Sequence, residues 1–140
     1  TSNANSVKVS EENLNIIKRA MEKVSLDEFG TGRNFRLGIK GVEMAGKTGT
    51  VQVRRISTKE RESEEGVIKN EDRIWEWRDH ALYVGYAPMD KPRYAISVIV
   101  EHGGSGSSKA GPIARDIMEA TLTDDPTRFI PKNPIKKPLI

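Results

Sequence analysis

Leu14, Ile17, Met21 and Val24 recur at spacings of three, four and three, the period of one apolar helical face. Ser10 stands before this run as an N-cap, and Glu11 and Glu12 put negative charge in the first turn, where the helix dipole favours it. The pattern predicts a helix running to about Val24, ended by the Gly30-Thr31-Gly32 turn. From Val42 to Val53 the pattern turns to β, with Val42, Met44, Thr48, Thr50, Val51 and Val53 interrupted by Gly46 and Gly49. Residues 54–78 are densely charged and read as a solvated insertion, loop or exposed helix, which Trp75 and Trp77 near its end pin to the body. His80 to Ala87 is a nearly continuous apolar run, which predicts a strand buried on both faces. Pro88, Asp90 and Pro92 mark a turn. Tyr94 to Glu101 is then a second strand, with Tyr94, Ile96, Val98 and Val100 on one face and Ala95, Ser97 and Ile99 on the other. The two runs predict an antiparallel hairpin.

His102 to Ser108 is rich in Gly and Ser and reads as a flexible connection. Pro112 suits the first turn of a helix, whose face is traced by Ile113, Ile117, Met118, Thr121 and Leu122. The fold class expected is α+β, an antiparallel sheet of about three strands flanked by N- and C-terminal helices. One domain spans residues 10–123. Residues 1–9 are expected to be disordered or vector-derived, and residues 124–140, with prolines at 126, 131, 134 and 138, to form an extended or disordered tail.

Composition narrows the function classes. Lys and Arg total 23 against 20 acidic residues, a net charge of +3 with both signs scattered, so nucleic acid is not an expected partner. Arg128, Lys132, Lys136 and Lys137 place part of that excess in the tail. Cysteine is absent, which excludes disulfides and thiolate metal sites. No apolar run approaches the ~20 residues that span a bilayer, and Thr1 to Ser6 lack the pattern of a signal peptide. His80 and His102 are the only histidines, two metal ligands at most, so neither a metal nor a cofactor is expected. His80 reads as a hydrogen-bonded structural residue, and His102 as a position at the rim of a site.

The chemistry concentrates between Gly41 and Thr50. Gly41, Gly46, Lys47 and Thr48 fit the phosphate-loop string G-x-x-x-x-G-K-[ST], whose amides and lysine cradle phosphates when the loop opens a helix. The residues that follow, Gly49-Thr50-Val51-Gln52-Val53, alternate as a strand does, so a nucleotide-binding module is the alternative reading. Lys-Thr-Gly on a strand is a signature of serine acyl-transferases of the penicillin-binding and class A β-lactamase type. In that chemistry Lys47 sets a positive charge near a substrate carboxylate, and the hydroxyls of Thr48 and Thr50 donate to it. Gly49 lets the substrate backbone lie close, and an amide just past the glycine stabilises an oxyanion.

The run Met44-Ala45-Gly46-Lys47-Thr48-Gly49-Thr50-Val51-Gln52-Val53 resembles the third-strand signature of class B penicillin-binding proteins, and within them the elongation transpeptidases. Gly30-Thr31-Gly32, Arg78-Asp79-His80, Val84-Gly85-Tyr86-Ala87-Pro88, Glu101-His102-Gly103-Gly104 and Pro112-Ile113-Ala114-Arg115-Asp116 resemble further family segments in the right order. The resemblance covers roughly Ser10 to Pro134. It implies a fragment of the β-lactamase/transpeptidase-like fold, with Lys47, Thr48, Gly49 and Thr50 as substrate-binding residues. It implies a parent that crosslinks peptidoglycan stem peptides by serine acyl transfer, contributes to cell-wall synthesis and cell shape, and binds β-lactams. That parent would be anchored in the bacterial inner membrane with this domain in the periplasm, working with a membrane glycosyltransferase. The family's Ser-x-x-Lys and Ser-x-Asn motifs are missing, since no serine here has lysine three or asparagine two positions on. The fragment is therefore expected to be soluble, inactive alone, and prone to self-associate through an uncovered strand at residues 94–101.

Overall fold

The computed structural model describes residues 8–124, so the expectations for the tail and for most of the chain start lie outside the described residues. Helix α1 (Glu11–Leu26) begins as predicted: Ser10 caps it, its Oγ accepting the Asn13 N–H at 3.3 Å. A 3-10 turn at Arg33–Phe35 leads to strand β1 (Ala45–Val51). The strand is shorter than the 42–53 expected, because Val42 and Met44 are buried in the core before it starts. A long connection holds only the short helix α2 (Thr58–Arg61) and two 3-10 turns. Strands β2 (His80–Ala87) and β3 (Tyr94–Val100) form the predicted hairpin, and a π-helical turn at Gly106–Ala110 runs into helix α3 (Gly111–Asp124).

The sheet is antiparallel throughout, in the order β1-β2-β3. Thr48 lies opposite Tyr83, and Tyr83 opposite Val98. Residues directly opposite share a face, so Gly46, Thr48 and Thr50 share theirs with Ala81, Tyr83 and Gly85, and with Ile96, Val98 and Val100. This face carries the core. Phe35, Leu37, Val42 and Met44 cover it together with Ala110, Ala114, Met118 and Leu122.

Two expectations about burial are corrected here. Met118 and Leu122 are buried on α3 as predicted, but Gly111 and Ala114 complete that face, and Ile113 and Ile117 are 42% and 49% exposed. Small residues win because the helix start must press against the Phe35 ring: a Cβ on Gly111 would lie 2.4 Å from its Cζ. Nor is β2 buried on both faces. Burial alternates along it and Val84 is 46% exposed, because α3 and the π-helical turn lie across the core face only, while α1 packs mainly against β1. The apolar face of α1 is likewise only half covered, with Leu14 and Ile17 exposed.

Tyr83 sits at the centre of the core. It is fully buried, and its ring meets Phe35 edge-on at 5.3 Å and 86°. Gly46 and Gly85 make room for it. A Cβ at 46 would lie 2.0 Å from the Tyr83 hydroxyl and 2.3 Å from its Cζ, and one at 85 would lie 2.8 Å from Cε1. Burial pushes the phenol up to about 12. Ser25 is near enough to temper that rise, but it falls outside hydrogen-bond geometry, so the hydroxyl has no full partner among the described residues.

Gly46→Ala is expected to destabilise the chain by about 1–3 kcal/mol through overpacking. Adding Tyr83→Phe should not rescue it, because the clash includes ring carbon as well as the hydroxyl; paired denaturant titrations check both. The Tyr83 pKa, raised on folding, contributes stability that is fully present below the ordinary tyrosine value near 10 and is lost as the pH rises through about 12. Tyr83→Phe should flatten that alkaline limb in denaturant titrations between pH 9 and 12.

Candidate functional site

The four residues singled out by sequence lie along β1, at one edge of the sheet. The outer edge of β1 has no strand partner among the described residues, so every second N–H and C=O of the strand points away from β2. Pleating puts Lys47 on one face and Thr48 and Thr50 on the other. Lys47 is exposed, and its Nζ donates to the Thr48 carbonyl at 2.8 Å. Thr50 is exposed, while Thr48 is half-buried, with its Oγ1 2.9 Å from the Oγ1 of Thr31.

Gly49 is confined from both sides. A Cβ on it would lie 3.2 Å from the Leu82 Cβ. The π-helical turn rests on the same Gly49–Leu82 pair, since a Cβ on Gly106 would come within 2.4 Å of both carbonyl oxygens. The backbone of β1 is thus clamped where its signature glycine stands. Beside it, a groove of about 500 Å³ opens between the Gly30-Thr31-Gly32 turn and the π-helical turn, lined by Phe29, Thr31, Arg33, Phe35 and Ser107 among others.

The phosphate-loop reading fails on geometry. Gly46, Lys47 and Thr48 lie inside a strand that continues to Val51, so the loop does not open a helix whose N-terminus faces a phosphate.

The 54–78 connection is mostly exposed, as expected, but its anchor is not the tryptophans. Trp75 and Trp77 are each 55% exposed, although Trp75 does lie 4.4 Å from the His102 ring. The anchor is Arg73, which is buried. Its Nε donates to the Ile68 carbonyl at 3.0 Å, and its Nη1 to Asp79 at 3.2 Å and to Asn70 Oδ1 at 3.4 Å. The Asp79 carboxylate also accepts the Val53 N–H, and its carbonyl accepts the Gly104 N–H at 2.8 Å. One aspartate therefore ties the end of β1 to the start of β2 and the exit of β3. Sequence reasoning missed this because a buried arginine inside a charged run looks like every other arginine in it.

His80 is structural as expected: its Nδ1 accepts the His102 N–H at 2.9 Å. His102 adopts a left-handed φ of 54° and faces the Arg78 carbonyl through its own Nδ1 at 3.0 Å. The Gly-rich exit, expected to be flexible, is hydrogen-bonded, with Gly103 N–H on Val100 and Lys109 N–H on Ser105. Among the described residues, no group of three or more His, Asp or Glu is arranged to hold a metal ion, and no helix is long and apolar enough to cross a membrane.

Thr31 is the residue of this site that sequence did not single out. The signal available was a hydroxyl flanked by two glycines, which reads equally well as a plain turn.

Arg73→Met would leave Asp79 without its cation. We expect a loss of about 3 kcal/mol and faster amide exchange at Gly104 and Val53, with the centre of the β2–β3 hairpin unchanged; hydrogen exchange read by mass spectrometry checks it.

Comparison with known proteins gives a consistent result. The family described as "Penicillin binding protein transpeptidase domain" matches residues 1–119. The chain is 38% identical over 105 residues to the peptidoglycan D,D-transpeptidase MrdA of Haemophilus influenzae, covering 75% of this chain and 15% of that protein. It is 37% identical over 120 residues to MrdA of Acinetobacter baumannii, covering 86% and 16%. The chain thus spans only about a sixth of the length of these relatives. Among solved structures, PBP2 of Pseudomonas aeruginosa in complex with WCK 5153 superposes with a TM-score of 0.63 at 30% identity, covering 93% of this chain and 24% of that one. PBP2 of Helicobacter pylori in complex with MreC gives a TM-score of 0.63 at 26% identity, covering 86% and 20%.

Proposed function

The chain belongs to the penicillin-binding protein transpeptidase family and is a PBP2-like part of its transpeptidase domain; on that premise we propose that it forms one wall of a peptidoglycan D,D-transpeptidase site. The observation that carries this reading is Lys47-Thr48-Gly49-Thr50 on an open sheet edge. An extended peptide pairs with such an edge as an added strand, its own N–H and C=O groups meeting those that point outward. The D-alanyl-D-alanine end of a stem peptide is such a segment. Its terminal carboxylate is attracted by Lys47 and accepts from the hydroxyls of Thr48 and Thr50. The outward amides of β1 meet the oxyanion that forms when a serine oxygen attacks the penultimate carbonyl. D-Alanine then leaves and an acceptor amine takes the acyl group, forming the crosslink.

The serine and its lysine come from elsewhere in the enzyme, because this chain has neither Ser-x-x-Lys nor Ser-x-Asn. A β-lactam, which resembles the acyl-D-alanyl-D-alanine, occupies the same edge and traps that serine. The same proposal includes membrane anchoring of the parent with this domain in the periplasm, and partnership with a membrane glycosyltransferase. A scaffold of the MreC kind, found with the Helicobacter pylori relative, fits it too.

The isolated chain should take no label from a fluorescent penicillin, and the complete enzyme should be labelled. Lys47→Ala in the complete enzyme should slow labelling about tenfold to a hundredfold, the loss of a charged hydrogen-bond partner. Stabilisation by Mg-ATP without any acylation would overturn the reading.

Among the described residues β3 also has no strand partner on its outer edge, where Ile99 is exposed. We infer that the isolated chain pairs through this edge with a second copy. Light scattering should give a mass that rises with concentration, and a clean monomer at high concentration would count against it.

A further inference from the structure

We propose that Thr31 is a positioning residue for Thr48, turning the Thr48 hydroxyl so that its proton faces the carboxylate of the bound peptide; this rests on the transpeptidase reading above. The two Oγ1 atoms are 2.9 Å apart, so one proton lies between them. A threonine hydroxyl has one proton and two lone pairs, and a carboxylate only accepts. If Thr48 gave its proton to Thr31 it would turn a lone pair towards the carboxylate and repel it. Catalytic use of Thr48 therefore requires Thr31 to be the donor and Thr48 the acceptor. That leaves the Thr48 proton free and directs it away from Thr31.

The position of Thr31 is set by its neighbours. The Gly30 N–H donates to the Asp27 carbonyl at 2.9 Å, and the Gly32 N–H to the Val24 carbonyl at 2.8 Å, which seats the turn on the C-terminal end of α1. Neither glycine tolerates a side chain: a Cβ at 30 would lie 2.4 Å from the Val24 oxygen, and one at 32 would lie 2.9 Å from it. Any larger residue lifts the turn off the helix and withdraws Thr31 from β1. Thr31 itself is exposed, so it adds little to packing, and its polar contact is with a residue of the substrate edge. The groove it lines lies on the side of the sheet that Thr48 faces.

The test uses the complete enzyme with Thr31→Val, Thr31→Ala, Thr31→Ser, Thr48→Val and the Thr31→Val/Thr48→Val pair. The readout is the second-order acylation rate with a fluorescent penicillin and with its methyl ester, which lacks the carboxylate charge. Thr31→Val and Thr31→Ala should slow acylation by the free acid about tenfold, as expected for losing control of one charge-assisted hydrogen bond. They should slow the ester by no more than about twofold, because its neutral carbonyl accepts a weaker hydrogen bond. Thr31→Ser should restore the acid rate to within about twofold, and the double variant should be no slower than Thr48→Val alone, the non-additivity of two residues acting as a unit. Equal loss with acid and ester would assign Thr31 a structural role and overturn the proposal, as would no loss at all. A wild-type enzyme that takes no label would overturn the transpeptidase reading and this inference with it. A labelled wild type with an indifferent Thr31 would overturn this inference alone.

Discussion

Two aromatic rings and the three glycines that make room for them set the geometry of this protein. Tyr83 is buried against Phe35, and the Phe35 ring in turn lies against Gly111 at the start of α3. On its other side Tyr83 is covered by the backbone of Gly46 and Gly85. These contacts leave no room for a methyl group at any of the three glycines, and protein interiors have little slack to absorb one. The residue that fixes β1 against the core, Gly46, is followed immediately by Lys47. The depth and tilt of the β1 edge are therefore set by core packing.

The same economy of space recurs at the two turns that flank the edge. Gly106 brings the π-helical turn onto the Gly49–Leu82 pair, while Gly30 and Gly32 bring Thr31 against the end of α1 and hence beside Thr48. Backbone is packed on backbone at both turns, on the Gly49–Leu82 pair in one case and on the end of α1 in the other, and Thr31 reaches the Lys-Thr-Gly run through its hydroxyl. Asp79 completes the frame from the far end, joined to Val53, Arg73 and Gly104. The long charged connection is tied to this frame by the buried Arg73.

An edge strand that stays open has a cost in aggregation risk, and the described residues show two. β1 is blunted by Lys47 and Thr50, an inserted charge and a hydroxyl of the kind that discourages edge pairing. β3 carries no charge among its seven residues and exposes Ile99. The two edges thus differ in chemistry as well as in position.

Periodicity in the sequence located α1 with its Ser10 cap, the β2–β3 hairpin, and α3, because apolar spacing and turn residues are local properties of the chain. The Lys-Thr-Gly-Thr run was legible for the same reason, and the β alternation after Gly49 separated it from a phosphate loop. The buried face of α3 was only half legible: Met118 and Leu122 lie on it as predicted, but Ile113 and Ile117 do not. Ile113 and Ile117 are the more apolar choice, but the fit of Gly111 and Ala114 against Phe35 and the sheet decides it. The alternating exposure of β2 was equally hidden, since an apolar run does not say how many layers cover it. The role of Arg73 and the pairing of Thr31 with Thr48 depend on residues up to 17 positions apart meeting through the fold. Sequence determined the elements and the chemistry they carry; tertiary structure decided their contacts, because close packing selects partners by shape and distance, which no local pattern records.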